Sequence, residues 1–182
     1  MRVDRPDIQT RCRRRGGGFS LIELLAVMVM LGVVAIVAIP SIASLGSDRA
    51  SMAAQQLLRD LSFARQRAVA SGTRAWVVFD TGAQTWSVLA EDPATPGRLN
   101  AAVIVDPATG QDFIQLLDVN QFIGVQLQAV GFDGDVEIGF DWLGQPLNAT
   151  ENPLAATGSV TLTGTHVVNV AIDTGFVTYV RP

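Results

Sequence analysis

Gly18-Phe19-Ser20-Leu21-Ile22-Glu23 joins an arginine-rich leader to an apolar run that continues to Ile39 and is closed by Pro40. Roughly 20 apolar residues, at about 1.5 Å of rise each, match the hydrocarbon thickness of a bilayer, so the run can span a membrane as a helix. Its one charge is Glu23. An unpaired acid at mid-membrane costs about 2.5 to 3.5 kcal/mol on insertion scales, so this carboxylate calls for a partner. Cleavage between Gly18 and Phe19 would free an α-amino group one helical turn before Glu23, on the same face. That amine, on the same helix or a neighbouring one, is the counter-charge on offer.

The glycine-ended leader, the segment Phe19-Ser20-Leu21-Ile22-Glu23 and the closing Pro40 resemble the prepilin-type signal of type IV pilins and type II secretion pseudopilins. The resemblance implies cleavage after Gly18 by a dedicated aspartic prepilin peptidase at the cytoplasmic face, methylation of the Phe19 amine, and use of Glu23 in subunit assembly. Competing readings fit the stretch less well. A secretory signal peptide ending near Ser41-Ile42-Ala43 should have about 7 to 15 apolar residues and no acid. A twin-arginine signal using Arg13-Arg14 or Arg14-Arg15 meets the same difficulty, and a plain single-span anchor leaves Glu23 unexplained.

Composition narrows the rest. The 182 residues leave one small to medium domain beyond the apolar run. All thirteen basic residues are arginines, and six of them (Arg2, Arg5, Arg11, Arg13, Arg14, Arg15) precede Phe19. Positive residues before a first apolar segment stay in the cytoplasm, which directs everything after Pro40 across the membrane. Without residues 1–18, which also hold Asp4 and Asp7, the formal charge moves from −4 to −8. Cys12 is the only cysteine and lies in the leader, so the remainder has no disulfide, thiolate nucleophile or Cys-ligated metal.

Beyond Pro40, which bends a helix more readily than it stops one, Leu57, Leu61, Ala64 and Ala68 recur at helical spacing. Gly46-Ser47-Asp48 weakens the helix locally, with Asp48 a candidate cap; Arg49, Arg59, Arg65 and Arg67 are expected to face water or neighbouring subunits, and Gly72 to end the helix. From Arg74 the period changes to two. Ala75–Phe79 and Thr85–Leu89 form a hairpin; Ala101–Val105, Phe122–Val130, Val136–Phe140, Val160–Thr163, Val167–Ile172 and Phe176–Val180 are further expected strands. Phe113–Asp118 is open between strand and short helix, and Glu91–Asn100 and Gly144–Thr157 are expected loops. The fold class is therefore α+β: a long N-terminal helix packed on an antiparallel β-sheet domain. Its segments are residues 1–18 as a cleaved leader, 19–40 as a transmembrane and assembly helix, 41–72 as an amphipathic continuation, and 73–182 as a periplasmic β-rich domain.

Several later segments resemble the GspH/FimT family of minor pseudopilins: Leu58-Arg59-Asp60-Leu61 through Ala64-Arg65-Gln66-Arg67-Ala68, then Gly72, Ile138-Gly139-Phe140-Asp141-Trp142-Leu143-Gly144-Gln145-Pro146, and the strands around Asp173-Thr174-Gly175. The lack of cysteine after the leader departs from the C-terminal disulfide loop of many major pilins and favours a minor pilin or pseudopilin. By resemblance the partners are other pilin or pseudopilin subunits, the prepilin peptidase and an inner-membrane assembly platform. The expected location is the inner membrane, single-pass, with the C-terminal domain in the periplasm.

Chemistry is sparse. His166, the only histidine, lacks a glycine-flanked nucleophile elbow and is expected as a polar residue at a strand edge. Asp133, Asp135 and Glu137 alternate and could present three carboxylates to calcium, but the EF-hand spacing is missing and a solvated acidic turn is the simpler reading. No glycine-rich phosphate loop follows a strand, so no nucleotide cofactor is expected. Some FimT-branch relatives resemble DNA receptors through C-terminal arginines. Here Arg181 stands alone in the tail of an acidic domain, which leaves a DNA-binding minor pilin as the alternative function with little phosphate-neutralising charge.

Overall fold

The computed structural model describes residues 20–182, with side chains 36–45 outside that description. One helix, α1, runs Leu21–Ser71, through Pro40 and through Gly46-Ser47-Asp48. Asp48 is therefore interior to the helix rather than a cap. Gly72 ends it at φ 67°, with its N–H donating to the Ala68 carbonyl at 3.0 Å. A residue with a Cβ would be strained in that left-handed conformation.

Ten strands follow: β1 (Ala75–Asp80), β2 (Thr85–Ala90), β3 (Ala102–Val103), β4 (Ile114–Leu116), β5 (Leu127–Gly131), β6 (Glu137–Phe140), β7 (Pro146–Leu147), β8 (Gly158–Leu162), β9 (His166–Val170) and β10 (Val177–Val180). They form two antiparallel sheets. The first is ordered β3-β2-β1-β6-β7, with β4 also pairing β2; the second is ordered β10-β9-β8-β5. The β1–β2 hairpin pairs Ala75 with Ala90 through Asp80 with Thr85, and Asp80 Oδ1 accepts from the Gly82 and Ala83 N–H groups to close the turn.

The segment open between strand and helix is settled as strand β4, because its backbone completes the edge of β2. The expected strand over 122–130 is shortened. Asn120–Phe122 is a 3-10 turn, and positive φ at Asp118, Asn120 and Gly124 breaks the extended run, leaving only β5. Two residues of the expected Gly144–Thr157 loop, Pro146 and Leu147, pair with β6 as β7.

The core forms where both sheets meet one face of α1. Ala50, Ala53, Ala54, Leu57, Leu61, Ala64 and Ala68 are each almost fully buried and share one cluster with Val77, Phe79, Trp86, Ile138 and Phe140 of the first sheet and Val160, Leu162, Val168 and Val170 of the second. Spacings of three and four put these positions on one stripe, and its alanines let strands approach the helix backbone. Burying each leucine contributes about 1.5–3 kcal/mol. Phe132 stacks on Phe79 at 5.8 Å between centroids, and Gly158 leaves the space: a Cβ there would lie 2.1 Å from the Phe132 ring.

Arg65 departs from its expected solvent-facing role. Its Nε donates to the carbonyls of Gly144 at 3.1 Å and Thr174 at 3.0 Å, and its guanidinium lies 5.1 Å from the centre of the Phe176 ring. The side chain thus ties the β6–β7 and β9–β10 turns to the helix. Charge-assisted hydrogen bonds of this kind contribute about 1.5–3 kcal/mol. Arg65→Ala is expected to lower unfolding stability by about 2 kcal/mol, while Arg67→Ala, on an exposed position, changes it by less than about 0.5 kcal/mol. Urea titrations of the two variants check the contrast.

Candidate functional site

Ser20 precedes α1, and its carbonyl accepts from the N–H groups of Glu23 at 3.0 Å and Leu24 at 3.1 Å. Glu23 sits in the first helical turn, where a carboxylate is favoured by the positive end of the helix dipole. The Ser20-Leu21-Ile22-Glu23 spacing is also that of a capping box, a local role that competes with an intersubunit one. Gly18 and Phe19 lie outside the described residues, as does the side chain of Pro40.

Around Glu23 the helix is apolar on every side. Leu21 is 83% exposed, Ile22 75%, Met28 68%, Met30 71% and Val34 63%, so no face is reserved for water. A helix apolar all round is stable only when its whole circumference is covered by other helices or lipid. Among the described residues no helix is long and apolar enough to cross a membrane. The sequence run Phe19–Ile39 reaches beyond them, since described side chains stop at Ala35 and resume at Gly46.

The candidate catalytic and metal residues have other employment. His166 is fully buried on the inward face of β9 with Val168 and Val170, not at an exposed strand edge, because the period of two turns every second side chain toward the core. Its Nδ1 meets the Tyr179 hydroxyl, which donates to Ser51 Oγ at 3.3 Å. Burial, with a smaller contribution from Arg181, holds the imidazole below its usual pKa and therefore neutral near pH 7. No substrate atom can reach it.

Asp133 Oδ2 accepts from the Ala155 N–H at 2.8 Å, while Glu137 is gripped at both oxygens by the Arg98 guanidinium. The alternating acids therefore do not share a solvated face; among the described residues no cluster of three His, Cys, Asp or Glu could hold a metal. Arg74 pairs with Glu91 at 3.8 Å and with Glu151. Glu91 and Glu151 also accept the N–H groups of Gly97 and Arg98, both at 2.7 Å, pinning the 91–100 loop.

Asp60 was not among the expected sites. It occupies the buried stripe beside Leu57, Leu61 and Ala64, only 3% exposed, accepting from Trp86 Nε1 at 2.9 Å and Gln56 Nε2 at 2.7 Å. An acid at stripe spacing was the available signal. Burial raises its pKa from 3.8 to about 6 and Asp106 adds to the rise, against the opposing effects of Trp86, Gln56 and Arg59. Folding therefore binds this proton more tightly, so the resulting stabilisation is fully present below pH 3.8 and lost as pH rises through about 6. The difference is on the order of 3 kcal/mol. Asp60→Asn is expected to remove most of the gain the parent chain shows on acidification from about pH 7 to pH 5, as measured by denaturant unfolding. An unchanged pH slope in the variant would eliminate Asp60 as its source.

No curated protein matches the chain. Two solved structures of the minor pseudopilin EpsH from the type II secretion system of Vibrio cholerae share the fold, each at 16% identity. One covers 74% of this chain and 98% of its own with a TM-score of 0.50; the other covers 75% and 96% with a TM-score of 0.51. Residues 13–39 match the prokaryotic N-terminal methylation motif, and residues 53–175, more than half of the chain, match the type II transport protein GspH model. The chain belongs to the GspH family of type II transport proteins and bears the prokaryotic N-terminal methylation motif.

Proposed function

We propose that this protein is a structural subunit of the periplasmic pseudopilus of type II protein secretion, assembled through its N-terminal helix. A prepilin peptidase cleaves after Gly18, Phe19 becomes the methylated N-terminus, and the helix holds the chain in the inner membrane, with residues 73–182 in the periplasm. An assembly platform then transfers it into the filament. The observation that carries this reading is the helix apolar on all sides from Leu21 to Val34, interrupted by the single carboxylate of Glu23. In either lipid or a helical bundle that acid needs a cation, and the Phe19 amine of a neighbouring subunit supplies one in register.

The prepilin signal is common to type IV pili, whereas the family match and the shared fold favour secretion. The DNA-binding alternative draws little support: Arg74 and Arg98 of the β domain are committed to Glu91, Glu151 and Glu137, and Arg65 of α1 to turn carbonyls.

Two glutamate variants separate an intersubunit charge pair from a local cap. Glutamine completes a capping box as well as glutamate does, but it cannot pair with an amine. Both Glu23→Ala and Glu23→Gln are expected to reduce filament incorporation at least about tenfold, the cost of losing a desolvated charge partner. Crosslinking of the chain to partner subunits in isolated cell envelopes, read by immunoblotting, measures it, and wild-type incorporation of Glu23→Gln would overturn the pairing. Intact-mass measurement of the working protein should give a chain beginning at methylated Phe19; an unprocessed leader would overturn the whole scheme.

A further inference from the structure

The flank of α1 carries a feature that assembly through the N-terminal helix does not use. A cleft of roughly 430 Å³ opens between α1 and the segment joining β3 to β4, lined by Asp60, Phe63, Asp106, Asp112, Phe113 and Ile114. Asp60 is its deepest acid. Each of its oxygens accepts one hydrogen bond, Oδ1 from Gln56 and Oδ2 from Trp86, whereas a carboxylate can accept about four. Among the described residues it forms no ion pair. Arg59 also borders the cleft, but its Nη2 donates to Gln56 Oε1 at 2.6 Å on the exposed side.

The two further acids extend the negative field outward. Asp106 is held in place by the Ala108 N–H at 2.8 Å and the Thr109 hydroxyl at 2.9 Å, so it acts through its charge. Asp112 is exposed. A buried carboxylate without a counter-ion is a cost to the fold unless something outside the chain supplies the cation. Apolar walls of Phe63 and Ile114 suit the methylene stem of a long basic side chain, and the spare lone pairs of Asp60 suit a planar donor fork.

We propose that this cleft receives an arginine side chain of a neighbouring pilin-like subunit, its guanidinium meeting the Asp60 carboxylate beside the Phe63 ring. Arginine is specified over lysine because guanidinium is weakly hydrated, stacks on aromatic faces and bonds a carboxylate through two N–H groups. The identity of the donor rests on the pseudopilus reading above; the chemistry of the cleft does not.

The test titrates the full chain in detergent with N-acetyl-arginine amide and follows the Trp86 indole N–H by NMR, assigned with Trp86→Phe. Near neutral pH a saturable shift is expected. Asp60→Asn should weaken binding at least about tenfold, the effect of one lost charge-assisted contact; Asp112→Lys should weaken it measurably by turning attraction into repulsion at the cleft mouth, and N-acetyl-lysine amide should bind more weakly. Asp112 is exposed, so its variant remains informative if Asp60→Asn folds poorly. No saturable shift, a shift unchanged in Asp112→Lys, or an equal response to calcium ion alone would each overturn the proposal. In cells, Asp112→Lys should lower co-isolation of partner subunits while the leader is still removed, and undiminished co-isolation would overturn the intersubunit role. Failure of the Glu23 variants to impair assembly removes the filament reading and leaves the titration intact, so the two are separable.

Discussion

Both sheets of this protein lean on one narrow strip of helix, Ala50 to Ala68, and almost every other feature follows from keeping that strip smooth. Five of its seven most buried positions are alanine, so the strands of the first sheet and of the second can both approach the backbone of α1. Larger side chains would hold the sheets away and open voids, which close-packed interiors tolerate poorly. Bulk comes instead from the strands: Trp86, Phe79, Phe132 and Phe140 fill the space that the alanines leave.

Against that apolar strip the polar exceptions stand out, and each has a defined attachment. Arg65 reaches off the helix to bind two turn carbonyls, so the ends of both sheets are fastened to the same residue. Ser51, Tyr179 and His166 form a hydrogen-bonded chain from the helix into the second sheet, with the imidazole neutral in its buried site. Asp60 reaches Trp86 of the first sheet, and among the described residues its carboxylate forms no ion pair. The first two arrangements tie the helix to the sheets, with His166 Nε2 buried and without a hydrogen-bond partner. The third leaves hydrogen-bonding capacity beside an open cleft.

The two ends of α1 face opposite physical problems. From Leu21 to Val34 the helix has no polar side at all and depends on surroundings it does not itself supply. From Ala50 onward it is amphipathic and provides the surface on which the β strands fold. The proposed filament role uses both: a segment stable only among other helices or lipid, and a folded domain beyond it. The GspH family match covers the second segment, and the methylation motif covers the first.

The sequence by itself determined the helix, its stop at Gly72, the β1–β2 hairpin and the α+β class, because these depend on periodicity and on local turn chemistry. It also determined the prepilin signal, a contiguous string of residues whose meaning needs no distant contact. Tertiary structure alone decided the partners of Arg65, Asp60, Glu137 and His166, each set by residues far away in the chain. It likewise decided that 114–116 is a strand while 120–122 is a 3-10 turn. The physical reason is shared: a short apolar segment has no preference strong enough to select its backbone, and a charged side chain reads as solvated until the fold brings a carbonyl, an indole or an opposite charge within hydrogen-bonding distance.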